Sequence, residues 1–307
     1  MTTEADLTRL RTAVLQTIAY GDVFDYPMTV TEIHRYLIGH KASLPAVEQL
    51  LTSDPWQNGR LASKDKGYLM LPGREAIVVK RQQRARHARQ LWPEAIRYGR
   101  LIARLPFVRM IAVTGSLAVD NPAREADIDY LIVTENGRLW VCRAFIIAIV
   151  RLAARRQLTL CPNYILSQSQ IEFKEHNLYT AHEVAQMIPV AGQTTYQQLR
   201  QANKKWLMSY LPNAAGPPRT LIHEPESLAA GRRWLENSLR SRPGQWVEQW
   251  EMQRKIRKFR RQHQDRPTDT MFNADCCKGH FTAHNDRILT AFQTRLESYQ
   301  LAGNKHG

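Results

Sequence analysis

Leu7, Leu10, Val14 and Ile18 recur every three or four residues, so the chain opens with the stripe of an amphipathic helix. The stretch "DVFDYPMT" breaks that stripe. Thr29 with Glu32 then fits a capping box, and Ile33, Tyr36 and Leu37 carry the next apolar face. A turn follows at Gly39 and "HKAS", and Leu44, Val47, Leu50 and Leu51 mark a third helix. Residues 59–73, "GRLASKDKGYLMLPG", set a polar turn between two apolar arms, the pattern of a hairpin.

Three short helices and a hairpin come in the order of a winged helix, so residues 1–80 read as a winged-helix-like module. Its third helix would face a DNA groove. That helix offers Glu48, Gln49, Ser53 and Asp54, two acids and no Lys or Arg. Arg60, Lys64 and Lys66 of the hairpin complement phosphate better. The balance favours a packing or protein-contact element over a sequence reader.

From Lys80 to Arg104 the chain turns basic, with Lys80, Arg81, Arg84, Arg86, Arg89, Arg97, Arg100 and Arg104 against the lone acid Glu94. Tyr98, Leu101, Ile102 and Leu105 keep helical spacing, which predicts one or two linking helices. Their cationic surface is either a solvated face or a phosphate-binding flank. "FVRMIAVT" (107–114) and "DIDYLIVT" (127–134) have the length and composition of buried strands. An apolar helix over 138–156 and a third strand over 159–167 follow, with Pro162 marking an edge or a bulge. Further helices are expected near 179–187, 194–210, 227–240, 245–262 and 283–299. The Pro/Gly-rich 211–220 separates a core (81–210) from a C-terminal helical region (211–307).

Composition sharpens this picture. The 307 residues are 43% hydrophobic and carry a net charge of +15, which points to anionic partners: nucleic acid, nucleotides or acidic lipid. The apolar run 139–154 is too short to span a bilayer and holds Arg143 and Arg151, so it reads as a core helix and no membrane partner is expected. Four cysteines, two of them adjacent, suggest no disulfide framework. With an N-terminus unlike a secretory signal, the expected location is cytoplasmic.

The chemistry concentrates in "VTGSLAVDNPAREADIDYLIVT", 113–134. Side chains two apart on a strand share a face, so Asp127 and Asp129 converge at the start of an apolar strand. Two carboxylates so placed share a proton or hold a cation, and an oxygen-only set suits Mg²⁺. Gly115 and Ser116 lie where a strand hands over to a helix, a place for phosphate to meet backbone N–H groups. Phosphate at one strand end and metal at its neighbour suit in-line displacement at phosphorus.

A glycine-serine pair followed by Asp-x-Asp within apolar residues resembles the DNA polymerase β-like nucleotidyltransferase superfamily. The likeness covers roughly residues 107–167, about a fifth of the chain. It implies an α+β fold with a mixed sheet and helices on one side. It also implies Mg²⁺ (or Mn²⁺) at Asp127 and Asp129, and the triphosphate of a nucleotide such as ATP near Gly115 and Ser116. The activity it implies is transfer of a nucleotidyl group to a hydroxyl or phosphate, on a nucleic acid or a small molecule. The superfamily often sets a third carboxylate on the next strand, where this chain has Asn163; Glu172 or Glu175 could substitute. That departure keeps open a second reading, a catalytically weak or inactive nucleotide-binding regulator that contacts nucleic acid through its basic surfaces.

Other candidates are weighed beside these. Arg138 and Arg143 flank the helix after the metal strand, and Arg143 is taken as a phosphate clamp on the nucleotide. His182 and Glu183 fall on a helix without a second ligand at helical spacing, which reads as structural. Cys276, Cys277, His280 and His284 are metal-capable, but adjacent cysteines suit one zinc poorly, and a packed turn is the plainer reading. "RKIRKFRRQHQ" (254–264) is either a solvated cationic helix or a polyanion surface.

Overall fold

The computed structural model describes residues 3–53, 62–222, 230–262, 271–278 and 284–299, and has a mixed α/β architecture. Helix α1 (Glu4–Asp22) starts at Thr3, whose hydroxyl accepts from the Asp6 amide at 3.2 Å. Leu10, Val14 and Ile18 are buried as the stripe requires, while Leu7, one turn from the helix start, is 49% exposed. Helix α2 (Val30–Arg35) carries the expected reciprocal capping box between Thr29 and Glu32. After α3 (Leu44–Leu51), strands β1 (Ser63–Asp65) and β2 (Tyr68–Met70) form an antiparallel hairpin. Lys66 and Gly67 turn it with φ of 48° and 83°, the two left-handed residues that a tight hairpin needs. Met28 pairs with Leu69 through both backbone bonds, which adds a third short chain to the hairpin.

The basic segment is a single helix, α4 (Ile77–Ala103). Much of its charge is spent inside the molecule. Arg81 is buried, donates to the Val119 carbonyl at 2.7 Å, pairs with Glu32 at 3.0 Å and lies over the Tyr26 ring. Arg84 donates to the Phe24 carbonyl at 3.0 Å. The helix thus fastens the N-terminal helices to the rest of the chain. Arg86, Arg89, Arg97, Arg100 and Arg104 remain exposed along it.

The main sheet follows: β3 (Val108–Val113), a short helix α5 (Gly115–Ala118), β4 (Ile128–Thr134), α6 (Leu139–Ala154) and β5 (Leu160–Ser167). Then come α7 (Leu178–Gln186), β6 (Ile188–Ala191) and α8 (Gln193–Tyr210). The C-terminal region adds α9 (Ala230–Leu239), α10 (Arg242–Gln262), β7 (Met271–Phe272), β8 (Cys276–Lys278) and α11 (His284–Ser298). The strand order is β6-β3-β4-β5-β8-β7. Of the described strand pairs only β4–β5 is parallel, joined by the α6 crossover.

Alternation along β3 and β4 divides the core. Met110, Ala112, Leu131 and Val133 pack with α1, α7 and α8 on one face. Ile111, Val113, Tyr130 and Ile132 pack with α4 and α6 on the other. Helices therefore cover both faces, not one as the resemblance implied. The first face is one continuous cluster running from Leu10 through Leu131 to Leu296, so all three sequence segments share a core.

The sheet decides one expectation and corrects another. Of the two readings of Pro162, edge or bulge, the second holds: β5 is interior, and the register slips there, Asp129 facing Cys161 but Leu131 facing Tyr164. This is a bulge, with one extra residue at Pro162–Asn163. Cys276 and Cys277 do not form a turn; they are buried in β8 beside β5. His280 lies outside the described residues, as do the side chain of His284, Arg60 and Asp54.

Asp22 ties the N-terminal module to the C-terminal helical region. It is 2% exposed and binds Arg74 at 2.6 Å and, on α11, Arg295 at 2.7 Å. Asp22→Asn is expected to lower unfolding free energy by about 2 kcal/mol, because two charge-assisted bonds go while both arginines can still reach water. Urea denaturation of the two proteins checks this.

Candidate functional site

The sharp turn after β3 exists because of glycine. Gly115 has φ of 64°, and a Cβ built there would sit 2.5 Å from Oδ2 of Asp129. Any side chain would be strained and would drive into the carboxylate. The Thr114 amide donates to the Asp129 carbonyl at 3.0 Å, which closes β3 onto β4 at this level. Thus Gly115, Ser116 and Asp129 meet because of strand pairing, although fourteen positions separate Gly115 from Asp129.

A cavity of about 730 Å³ opens beside them. Asp127 and Asp129 both line it, with Gly115, Ser116 and Asn163. Asp127 is exposed at its mouth, and Asp129 is half-buried further in. Burial pushes the Asp129 carboxyl up to about 7; the Cys161 thiol, across the parallel pair, opposes this by hydrogen bonding, and the charge of Asp127 adds to it. Burial also raises Asp127. The same carboxylate in turn helps hold the Cys161 thiol protonated, though burial is the larger cause.

Glu183 on α7 enters the same cavity. Burial lifts it to about 7 as well, with Asp129 adding and Lys278 countering. With Glu125, four carboxylates among the described residues thus line the cavity, and none of them comes from β5. His182, beside Glu183, is 4% exposed, stacks on Tyr20 at 4.0 Å, and has its Nδ1 2.9 Å from the Leu178 carbonyl. That contact fixes Nδ1 as the donor and leaves Nε2 an acceptor; burial holds the ring neutral, with a pKa near 4.

The bulge in β5 aims Asn163 at the cavity. This residue is 3% exposed, and its Oδ1 has no hydrogen-bond partner. A buried acceptor left unpaired costs stability, so a donor or a cation is the natural complement. Glu172 and Glu175 do not fill this role. Glu175 bonds Lys278 at 2.9 Å and Asn285 at 2.6 Å, and both acids border a different, smaller pocket.

Arg143 is a correction. It lies on α6, which covers the opposite face of the sheet, and its guanidinium rests over Phe259 at 5.1 Å and Trp140 at 6.0 Å while bonding the Cys277 thiol. A helix that follows β4 across the sheet cannot return its side chain to the Asp129 face. Arg138 is likewise directed elsewhere, over the Phe107 ring.

No three His, Cys, Asp or Glu side chains among the described residues gather closely enough to form a metal cage. Asp127 and Asp129 alone fit a magnesium ion, which commonly takes one or two carboxylates and completes its shell with water and substrate phosphate. The raised Asp129 carboxyl and the open acceptor on Asn163 are consistent with a place for a cation. No helix of the described residues is long and apolar enough to cross a membrane. No protein-family model, curated protein or solved structure matches the chain.

Proposed function

We propose that this chain is a Mg²⁺-dependent nucleotidyltransferase of the DNA polymerase β-like superfamily. The observation that carries the reading is the contact of Gly115 with Asp129: a left-handed turn with no room for a side chain, pressed against a buried carboxylate that burial holds near its protonation point. The antiparallel β3–β4 pair and the parallel β4–β5 pair support the superfamily's sheet. The three helices, the hairpin and the Met28 bridge support a winged-helix-like N-terminal module.

In this reading Asp127 and Asp129 hold the metal, and the backbone after Gly115, with the Ser116 hydroxyl, holds the triphosphate. Bound magnesium would supply neutralisation of charge developing on the phosphate oxygens. Glu183, in its ionised form, takes the proton of the acceptor hydroxyl. The hydroxyl oxygen forms a bond to the α-phosphorus, the bond from that phosphorus to the bridging oxygen breaks, and pyrophosphate leaves.

Incubation with α-labelled nucleoside triphosphates, Mg²⁺ and mixed acceptors tests the proposal. Label is expected in an acceptor with the natural protein and not with Asp127→Asn, Asp129→Asn. Equal incorporation by the double variant would overturn it.

A further inference from the structure

We infer that the acceptor is a small, donor-rich molecule without phosphate groups, such as a polyol or amino-polyol, and that the N-terminal module forms its binding wall. The inference rests on the nucleotidyl-transfer reading and specifies the acceptor for it.

The wall opposite the carboxylates comes from α1 and the loop after it: Thr17, Tyr20, Gly21, Phe24, Tyr26 and Met28. The module is not a separate arm. Arg81 and Arg84 pin this loop through the Tyr26 ring and the Phe24 carbonyl, and Asp22 ties α1 to α11, so the wall is held in place. The resulting chamber has a volume typical of small-ligand pockets, about 300–1,000 Å³. A polynucleotide acceptor is served by an open, cationic groove instead.

The charge of the chamber reverses that of the chain. The protein carries +15 overall, yet the residues lining the chamber include Glu125, Asp127, Asp129 and Glu183, and no Lys or Arg among those described. One magnesium ion with a triphosphate leaves no cation to spare for a second phosphorylated molecule. Arg81 and Arg84, which reach the residues that wall the chamber, spend their guanidinium groups on the Val119 and Phe24 carbonyls, Glu32 and the Asn121 side chain.

Hydrogen-bonding capacity points the same way. The groups open to a ligand include acceptors: the unpartnered Oδ1 of Asn163 and the carboxylates. Acceptors are satisfied by hydroxyl or ammonium donors, and a phosphate monoester offers few at neutral pH. The half-buried ring of Phe24 adds an apolar face on which the C–H side of a sugar-like ring can rest. Donors toward one wall and apolar C–H groups toward the other describe a polyhydroxylated ring.

The full-length protein, Mg²⁺ and α-labelled nucleoside triphosphates are offered three acceptor preparations. These are a phosphatase-treated small-molecule filtrate of bacterial cells, the same filtrate untreated, and a single-stranded oligonucleotide with a free 3′ hydroxyl. Label in the phosphatase-treated filtrate supports the inference. Label only in the untreated filtrate, or in the oligonucleotide, overturns it and leaves nucleotidyl transfer standing. Label in none of the three overturns both.

The wall is tested separately on limiting treated filtrate. Phe24→Ala keeps the carbonyl that Arg84 uses, and is expected to lower incorporation about tenfold with nucleotide KM unchanged. Phe24→Leu is the variant to use if the alanine form folds poorly. Charge reversal at the exposed Arg97 and Arg100 of α4 is expected to change nothing. Loss of transfer on that reversal, with Phe24 variants normal, would place the acceptor outside the chamber and end the proposal.

Discussion

Asp129→Asn is expected to make the metal-free protein more stable, not less, while removing its response to magnesium. The carboxyl titrates near 7 in the folded chain and near its ordinary value of 3.8 when unfolded. Below that ordinary value both states are protonated and the group contributes nothing. Between the two values the unfolded chain releases its proton and the folded chain keeps it, so stability falls as pH rises; above about 7 the loss is complete. An amide of the same shape escapes this cost. The gain should be about 1–3 kcal/mol at pH 8, allowing for screening by water in the cavity, and should fade toward pH 4. Magnesium stabilises the natural protein alone, by about 1.4 kcal/mol at ten times its dissociation constant and about 2.7 kcal/mol at a hundred times, and so offsets most of that gain. Melting curves of both proteins with and without Mg²⁺, at several pH values, read all of this without any assay of activity. A variant that is destabilised at pH 8, or that responds to Mg²⁺ as the natural chain does, would mean that Asp129 is a structural partner.

That expectation draws on residues visible in the sequence, and the contrast with those that were not visible is instructive. Gly115, Ser116, Asp127 and Asp129 lie within one turn-and-strand unit, so local spacing was enough to associate them. The helices from α7 onward also fall within a few positions of their apolar stripes, because a stripe is a local pattern. Asn163 was named from the sequence on the strand after Asp129, but its entry into the cavity, like the pairing of Cys161 with Asp129, depends on the β4–β5 register, which the bulge at Pro162 shifts by a residue that no periodicity reports. Glu183 reaches Asp129 only after α7 has docked on one sheet face, and Tyr20 and Phe24 only after α1 has docked beside it. Neither partner is local in the chain.

Arg143 failed for the reverse reason. Its nearness in sequence to the metal strand suggested nearness in space, whereas the crossover carries α6 to the far face, where Trp140 and Phe259 receive the guanidinium. Strands β6 and β8 escaped because three or four residues are too few to show alternation, and Pro189 disguises the first. The net charge of +15 was a property of the whole chain and a poor guide to the chamber, since a sum over the chain says nothing of where each sign is buried.

Glu183→Gln is expected to lower kcat by about 10²–10⁴-fold while nucleotide still binds, the usual scale for loss of a general base. Of the four carboxylates that line the cavity, the proposal divides the work among three. Asp129 abuts Gly115, with Asp127 two residues before it, while Glu183 stands on α7 and is not gathered with them into a three-ligand set. Burial, with the charge of Asp129 adding to it and Lys278 opposing, lifts it to about 7. A group poised there can both accept and release a proton near neutrality. The sign follows directly: the base works only when ionised, so kcat of the natural protein should fall as pH drops through about 7. With magnesium and nucleotide saturating, Asp129 is held ionised, and the remaining acid limb belongs to Glu183. The glutamine variant should therefore show a flat residual rate between about pH 6 and 8, and Glu183→Asp, which restores an acid on a shorter arm, should recover part of both rate and slope. A purely structural Glu183 would change folding or KM and leave the acid limb in place. If the glutamine variant turns over within about twofold of the natural chain at every pH, the proton leaves by another route and α7 contributes only a wall.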